Sequence, residues 1–321
     1  MEERCPLDDV LDMLRVRGAV MAHLRAHAPW GIRLARAPGA TFHAVTAGSC
    51  WIRVPGESPR ELLAGDVVLL PAGVAHTIAS DASGPAKAWD RVAKARARNA
   101  AGEICLDGPG GSAHVICAAY DYDRDVAHPL LSLLPPTLFI SGQHGSGTGA
   151  VQRTVRMLRQ ELSGRAAGRG TIIDRLIDVL FVYVIRDWIM ARHEHGTSWL
   201  SALHDPVLGR ALTIMHSAPS VPWTVETLAR EVSLSRATLT RRFTALVGEP
   251  PLSYLTRWRM DLAARELRET EDAVSAIARR VGYTSEFAFS RAFSRAQGNP
   301  PGRYRAEVKG RRRQQQTRAG R

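Results

Sequence analysis

Residues 227–251 read TLAREVSLSRATLTRRFTALVGEPP, and residues 276–301 read AIARRVGYTSEFAFSRAFSRAQGNPP, so one pattern occurs twice. The later parts of the two copies match at an offset of 50 residues, and the earlier parts match at an offset of 49. The turn of the second copy therefore holds one extra residue. Each copy has a helical pattern, a short turn and a second helical pattern with arginines. The duplication predicts an all-α domain with two helix-turn-helix motifs.

Local signals place the helix boundaries within the repeat. Thr224 and Ser235 are predicted to cap the two helices of the first copy, and Leu239 and Phe243 are predicted to face its core. Residues 252–268, between the copies, predict a helix about 25 Å long. A rod of this length can hold two recognition helices roughly one DNA turn, about 34 Å, apart.

The outward positions at the start of each second helix are candidates for contact with base edges. An α-helix fits the major groove of DNA and reads bases from its first turns. Arginine can bind guanine through two hydrogen bonds, or it can hold a phosphate. A helical pair that binds another protein is the alternative reading. The DNA-binding candidates are Arg236, Ala237, Thr240 and Arg241 in the first copy, and Glu286, Phe287, Ser290 and Arg291 in the second.

The positive charge of the chain lies almost entirely in its last third. Of the 43 Lys and Arg and the 31 Asp and Glu, residues 1–205 hold 22 and 21, and residues 206–321 hold 21 and 10. The net charge is thus +1 in the first part and +11 in the second, which together give the +12 of the whole chain. This asymmetry favours a polyanion as the partner of the C-terminal domain, although a basic surface can also serve solubility alone.

The first part of the chain has the pattern of a small β-barrel. Short apolar segments alternate with Gly, Pro and Ser over roughly residues 20–125. Within them, GDVVLLPAGVAH at residues 65–76 resembles the second sequence motif of the cupin family. The first cupin motif is represented only by His43. The resemblance therefore implies a cupin-like barrel. No cofactor is certain, and zinc is possible at a metal-ligand set of His43, His76, Cys117 and His128.

Two helices are predicted to follow the barrel, over residues 150–162 and 171–193. The second is apolar over much of its circumference, so it needs more than one packing partner. One partner is the barrel. The other is a second subunit, which predicts a homodimer through residues 150–193. Burial of this helix within a single subunit is equally compatible with its periodicity.

The C-terminal residues resemble a known family. Residues 206–305 are similar to the DNA-binding domain of the AraC/XylS transcription regulators, with IARRVGYTSEFAFSRAFSRAQGNPPGRYR (277–305) matching its signature and RWRMDLAARELRE (257–269) its linker helix. The region before residue 206 resembles the cupin-type ligand-binding domain of one branch. The resemblance implies a transcription regulator, an activator, with double-stranded DNA and RNA polymerase as partners. It also implies control by a small-molecule effector or a redox signal.

The predicted fold class is α+β and multidomain. Residues 1–195 form a cupin-like regulatory and dimerisation domain of strands plus helices. Residues 196–205 form a linker, residues 206–305 form the double helix-turn-helix domain, and residues 306–321 form a disordered basic tail that attracts phosphate.

The remaining expectations concern compartment, redox chemistry and catalysis. The N-terminus does not resemble a signal peptide and no membrane segment is predicted, so we expect a cytoplasmic protein with reduced thiols. The redox candidates are Cys50, Cys105 and Cys117. The predicted protein is not an enzyme. The alternative is a metal-dependent cupin enzyme fused to a DNA-binding domain.

Overall fold

The computed structural model describes residues 5–14, 17–37, 39–95, 99, 103–121, 134–142, 149–191 and 199–319. They form two compact units. The described residues from 17 to 191 build a unit of two sheets and three helices, while residues 5–14 and 199–319 build a unit of helices alone. The predicted fold class, a cupin-like barrel with helices and an all-α domain with two helix-turn-helix motifs, is confirmed.

The barrel consists of a six-stranded sheet, in the order β11-β6-β3-β10-β1-β9, and a five-stranded sheet, in the order β5-β4-β7-β2-β8. Short strands separated by turns match the alternation seen in the sequence. The strands are β1 Arg17–His27, β2 Gly31–Leu34, β3 Ala40–Ala47, β4 Ser49–Arg53, β5 Arg60–Leu63, β6 Val67–Leu70, β7 His76–Ala79, β8 Lys87–Ala88, β9 Ile104–Leu106, β10 Ser112–Asp121 and β11 Leu138–Ile140.

The pleat of the large sheet decides which side chains reach the barrel interior. Ala22, Leu24 and Ala26 of β1 lie in the apolar core between the sheets, so His23 points to the opposite, outer face. A register shift between Val20 and Ala22 changes this alternation along β1. On β10 the core residues include Val115 and Cys117.

Three helices belong to this unit: α2 Trp89–Ala95, α3 Ala150–Ser163 and α4 Arg169–Ala191. The outer face of the large sheet packs against α4, where the Tyr120 hydroxyl donates to the carbonyl oxygen of Ile177 at 3.0 Å. The Asp178 carboxylate accepts from the backbone N–H of Gly18 at 2.8 Å. Within the described part of the chain, every helix is too short or too polar to span a bilayer.

The helical unit contains both copies of the sequence repeat. Its first helix comes from the N-terminus of the chain. The helices are α1 Pro6–Leu14, α5 Trp199–His204, α6 Pro206–Ser217, α7 Val225–Glu231, α8 Arg236–Val247, α9 Pro251–Glu269, α10 Val274–Arg280, α11 Glu286–Gln297 and α12 Pro301–Ala319.

Three segments of this unit differ from the sequence expectations. The α1 helix packs with α6 and α9 of the helical unit, although residues 1–195 were expected to form the cupin domain. Residues 199–204 of the expected linker form α5, because the buried Trp199 anchors them through a 2.9 Å hydrogen bond to the Tyr254 hydroxyl. Residues 306–319, expected to be a disordered tail, continue α12, which begins at Pro301 and consists mainly of good helix formers.

Candidate functional site

The first helix-turn-helix is built as its sequence dictates. Thr224 caps α7, where its hydroxyl accepts from the backbone N–H of Thr227 at 3.1 Å. Ser233 forms the turn with a positive φ of 54°. Ser235 then caps α8 by accepting from the N–H of Thr238 at 3.2 Å. These caps satisfy N–H groups that the first turn of a helix leaves without partners.

The second helix-turn-helix repeats this backbone. Gly282 takes the place of Ser233, with a φ of 85°, and Ser285 caps α11 as Ser235 caps α8. The N–H of Tyr283 bonds the carbonyl of Ala278 at 2.8 Å, just as the N–H of Leu234 bonds that of Ala229 at 2.9 Å. The two predicted motifs therefore share the hydrogen bonds of the turn and the serine cap of the second helix, while the first helix of the second copy begins at Ala273 without a side-chain cap.

The α8 and α11 helices each bury one face and expose the other. Leu239 and Phe243 of α8 are buried, as are Phe289 and Phe293 of α11. The predicted DNA-binding residues share the opposite faces of these helices. Arg236, Ala237, Arg241, Glu286, Phe287 and Arg291 are exposed, and Thr240 and Ser290 are half-buried.

The charges on these two faces differ. Arg236 donates to the Glu226 carboxylate at 2.5 Å, which offsets its charge and ties α8 to α7. Ser275 occupies the position in α10 that corresponds to Glu226, and the second copy presents Glu286 where the first presents Arg236. Arg241 makes no ion pair with the described residues, and the guanidinium of Arg291 lies 5.8 Å from the ring centre of Phe287.

Phe287 is the most distinctive surface residue of the helical unit. Its ring is 72% exposed, the largest fraction among the exposed large apolar side chains of the described chain. An aromatic ring contributes a large apolar area to any interface that covers it. The α11 face therefore presents both an apolar surface and a cation to a partner.

A buried network around His216 in the same unit was not predicted from the sequence. The Trp199 indole donates to the Tyr254 hydroxyl, which lies 2.7 Å from Nε2 of His216. Nδ1 of His216 lies 3.2 Å from the Asp9 carboxylate of α1. Burial lowers the pKa of His216, and Asp9 opposes that shift. Asp9 and His216 are 207 residues apart, so no local pattern could have indicated the pair.

The barrel interior brings together three of the four residues predicted to bind metal. Nδ1 of His76 donates to the carbonyl of Val74 at 2.8 Å, so Nε2 of a neutral His76 must accept. That nitrogen lies 2.7 Å from Nε2 of His43, which therefore donates. Nδ1 of His43 lies 3.1 Å from Sγ of Cys117 and accepts from the thiol. Burial lowers the pKa of both imidazoles and raises that of the Cys117 thiol, so the chain is neutral.

This arrangement does not fit one shared metal ion. Cys117 and His76 meet opposite edges of the His43 ring, so the three donor atoms do not converge. Two nitrogens bound to one tetrahedral zinc ion lie about 3.4 Å apart, more than the 2.7 Å between the two imidazoles. His128, the fourth predicted ligand, lies outside the described residues.

A different donor set, missed in the sequence, lies on the outer face of the large sheet. Single ligand atoms of His23, Glu103 and His114 all lie within 4.8 Å of one another. These residues come from three strands or their ends, and only the strand register brings them together.

The predicted redox residues occupy two kinds of environment. Cys50 and Cys117 are buried in the barrel core, and Cys105 of β9 is half-buried. Burial raises the pKa of Cys50 to about 12. A redox-reactive thiol needs a lowered pKa. Burial raises the pKa of Cys50 and Cys117, which is the opposite of what a redox role requires.

Comparison with known proteins gives matches along most of the chain. Residues 6–190 match the Cupin family, and residues 228–307 match the Helix-turn-helix domain family. An AraC-like transcription regulator of Streptomyces lividans is 38% identical, with coverage of 94% of this chain and 97% of the relative. Another, from Streptomyces antibioticus, is 36% identical, with coverage of 94% and 98%. The RCS-specific transcriptional activator RclR of Escherichia coli is 29% identical over 84% of each chain.

Proposed function

The chain belongs to the AraC-like transcription regulators, and from that premise we propose how its helix-turn-helix pair meets DNA and how its cupin domain controls it. The Streptomyces lividans regulator is 38% identical over 94% of this chain, and this similarity shows the family membership. It also confirms the AraC/XylS resemblance inferred from the sequence. The protein is a DNA-binding transcription regulator.

We propose that α8 and α11 enter two successive major-groove segments of double-stranded DNA. The observation that carries this proposal is the matched exposure of Arg241 and Arg291 at equivalent positions of two identically capped helices. Thr240 and Ser290 lie beside them with hydroxyl groups that can bond bases or phosphates. Ala237 and Phe287 are suited to apolar contact with thymine methyl groups.

The DNA proposal is tested by binding of the full-length protein to a selected operator across a salt series. Arg241→Ala and Arg291→Ala should each weaken binding about tenfold or more, as loss of one base-reading or phosphate-binding arginine does. If an arginine contacts only phosphate, its replacement should also lower the slope of log affinity against log salt concentration by about 1. Arg175→Ala is the matched control, because that side chain is 78% exposed on α4 of the barrel unit. Equal affinity of all four proteins would refute the assignment.

We propose that the regulatory signal acts inside the barrel. The buried chain of Cys117, His43 and His76 supports this, because a polar network within an apolar core holds its shape only while every bond is made. A ligand or an oxidant that breaks one of these hydrogen bonds would change the conformation of the barrel. The adjoining cavity, lined by residues including Met21, Leu24 and Cys117, has a volume of about 10 Å³, room for one water. A small-molecule effector must therefore displace core side chains.

We infer that the barrel is regulatory and not an enzyme. The relatives are transcription regulators, and the non-convergent donors of His43 and Cys117 give no support to the alternative of a metal-dependent cupin enzyme. We also propose activation as the output, with RNA polymerase as the partner that an activator needs. The Escherichia coli relative RclR is a transcriptional activator, which supports that direction.

We propose a homodimer through one face of α4. Ile172, Val179, Val182 and Met190 of α4 are 39–49% exposed, and their spacing places them on one side of the helix. The opposite side is buried through residues such as Ile177 and Val184. An exposed apolar stripe of this kind marks a protein interface.

The dimer is tested by Val182→Glu, which sets a charge in the middle of the stripe. The variant should sediment as a monomer at micromolar concentration where the wild type sediments as a dimer. Arg91→Glu, a charge change at an exposed residue of α2, away from the stripe, is the control. A wild-type monomer, or a variant that remains dimeric, would overturn the proposal.

A further inference from the structure

His23, Glu103 and His114 lie side by side on three neighbouring strands. His23 is on β1, His114 is on β10, and Glu103 precedes β9, whose residue Ile104 pairs with Leu24 of β1. All three face away from the barrel core, because the alternate residues Leu24 and Val115 lie within it. This cluster is therefore separate from the interior chain of His43, His76 and Cys117.

The burial of His23 costs free energy that no hydrogen bond to the described residues offsets. The residue is only 4% exposed, and neither of its buried ring nitrogens makes a hydrogen bond to the described residues. Oε1 of Glu103 lies 3.5 Å from its Nδ1. Buried polar atoms normally have partners, so an imidazole in this state points to a ligand that completes it.

The distances fit a metal ion. Two ligand atoms on a tetrahedral zinc ion, with bonds of about 2.1 Å, lie about 3.4 Å apart, and Nδ1 of His23 and Oε1 of Glu103 are 3.5 Å apart. The widest pair of the group is no more than 4.8 Å apart, which a rotation of the half-buried His114 side chain can close. Two imidazoles and one carboxylate form a donor set for divalent transition metals.

The carboxylate is held in place from its other side. The Asn99 amide donates to Oε2 of Glu103 at 2.9 Å, and the backbone N–H of Glu103 donates to Oδ1 of Asn99 at 2.9 Å. These bonds leave Oε1 of Glu103 facing His23. Such outer contacts orient metal ligands and strengthen binding. We propose that His23, Glu103 and His114 bind one divalent transition-metal ion, with zinc as the probe, on the outer face of the barrel sheet.

Three arginines set the electrostatic background of this site. Arg159 and Arg169 are near His23, and Arg25 is near His114. The guanidinium of Arg169 donates to the carbonyl of Leu162 at 2.7 Å, and that of Arg159 points to the carbonyl of Thr46 at 3.5 Å. Among the described residues Glu103 is thus paired with His23 and not with arginine. The positive charges weaken binding of a cation but leave the donor atoms available.

The test is zinc titration of the full-length, metal-free protein against a chromophoric chelator, with Glu103→Gln and His114→Asn as the variants. The wild type should bind one zinc ion at this site, and each variant should bind it at least tenfold more weakly. His27→Asn, on the same strand as His23, is the control and should keep the site. The wild type should also gain thermal stability on adding zinc, and Glu103→Gln should not.

The outcomes separate the alternatives. If the wild type binds no zinc, or if Glu103→Gln and His114→Asn bind it as the wild type does, the proposal is wrong. Circular dichroism of the metal-free variants checks folding. Should one fail to fold, Asn99→Ala, which keeps all three ligands, must still weaken binding because it frees the Glu103 carboxylate.

Discussion

Asp261 in the middle of α9 should make the stability of the helical unit fall as pH rises. The residue is 2% exposed, and its Oδ2 has no hydrogen-bond partner among the described residues. The guanidinium of Arg257 lies 3.7 Å away, too far to satisfy it. Burial raises the pKa of Asp261 from 3.8 to about 7, and Arg257 only partly offsets that effect.

The sign and size of the effect follow from the proton linkage. The folded state binds this proton more tightly than the unfolded chain does, so the stabilisation is complete below pH 3.8 and disappears as pH approaches 7. Each pH unit between these limits is worth about 1.36 kcal/mol. Between pH 5 and pH 8, wild-type protein should therefore lose about 3 kcal/mol of unfolding free energy relative to Asp261→Asn, which cannot titrate.

The measurement is urea unfolding of the full-length protein, followed by tryptophan fluorescence, at pH 5 and pH 8. Trp258 is buried one turn before Asp261 and reports on α9. Glu271→Gln, with a side chain that is 78% exposed, is the control and should follow the wild type closely. If Asp261→Asn and the wild type lose stability in parallel between the two pH values, the reasoning about the buried carboxyl fails.

Two further predictions concern the turn and the barrel. Gly282→Ala should destabilise the second helix-turn-helix by about 1–2 kcal/mol. The φ of Gly282 is 85°, and the new Cβ would lie 2.8 Å from the carbonyl oxygen of Ser220. Ser233→Gly, at the equivalent turn of the first motif, should not destabilise the protein, and urea unfolding compares the two variants. Cys117→Val should cost about 1–3 kcal/mol, because Nδ1 of His43 loses its donor at 3.1 Å. Cys117→Ser keeps a donor and should cost less, and equal losses in thermal or urea unfolding would show that the thiol does not bond the ring.

The helix-turn-helix pair could be predicted in detail because its determinants are local. Thr224, Ser235 and Ser285 act on N–H groups within three residues, and left-handed turns follow from a short stretch of sequence. The duplication added a second, independent sign of the same fold. The barrel was predictable only in outline, since the cupin string located His76 but not the residues that meet it.

The unpredicted features depend on long-range register. His23, Glu103 and His114 come together only because β1 lies between β9 and β10. Asp9 reaches His216 only because α1 packs in the helical unit. Composition misled at the C-terminus, where a basic segment rich in Arg and Gln reads as disordered, yet those residues also favour a helix once Pro301 has started one.

The differences between the two recognition helices would give the helix-turn-helix domain a fixed orientation on DNA. The turn bonds and the serine caps of the two recognition helices are the same, and Arg241 and Arg291 occupy the same position in each. At the helix starts, however, an arginine offset by Glu226 in the first copy corresponds to the exposed carboxylate of Glu286 in the second. A small alanine corresponds likewise to the exposed ring of Phe287.

This asymmetry bears on how the protein would work at a promoter. Glu286 disfavours phosphate and can accept from cytosine, while Arg236 favours phosphate or guanine. One subunit bound to two unequal half-sites cannot be turned end for end without placing each helix on the wrong bases. A single subunit would then fix the orientation of the complex on DNA, as an activator that faces RNA polymerase requires. Exchange of Phe287 and Ala237 in a double variant should therefore weaken binding to the natural site more than to its reversed-order counterpart.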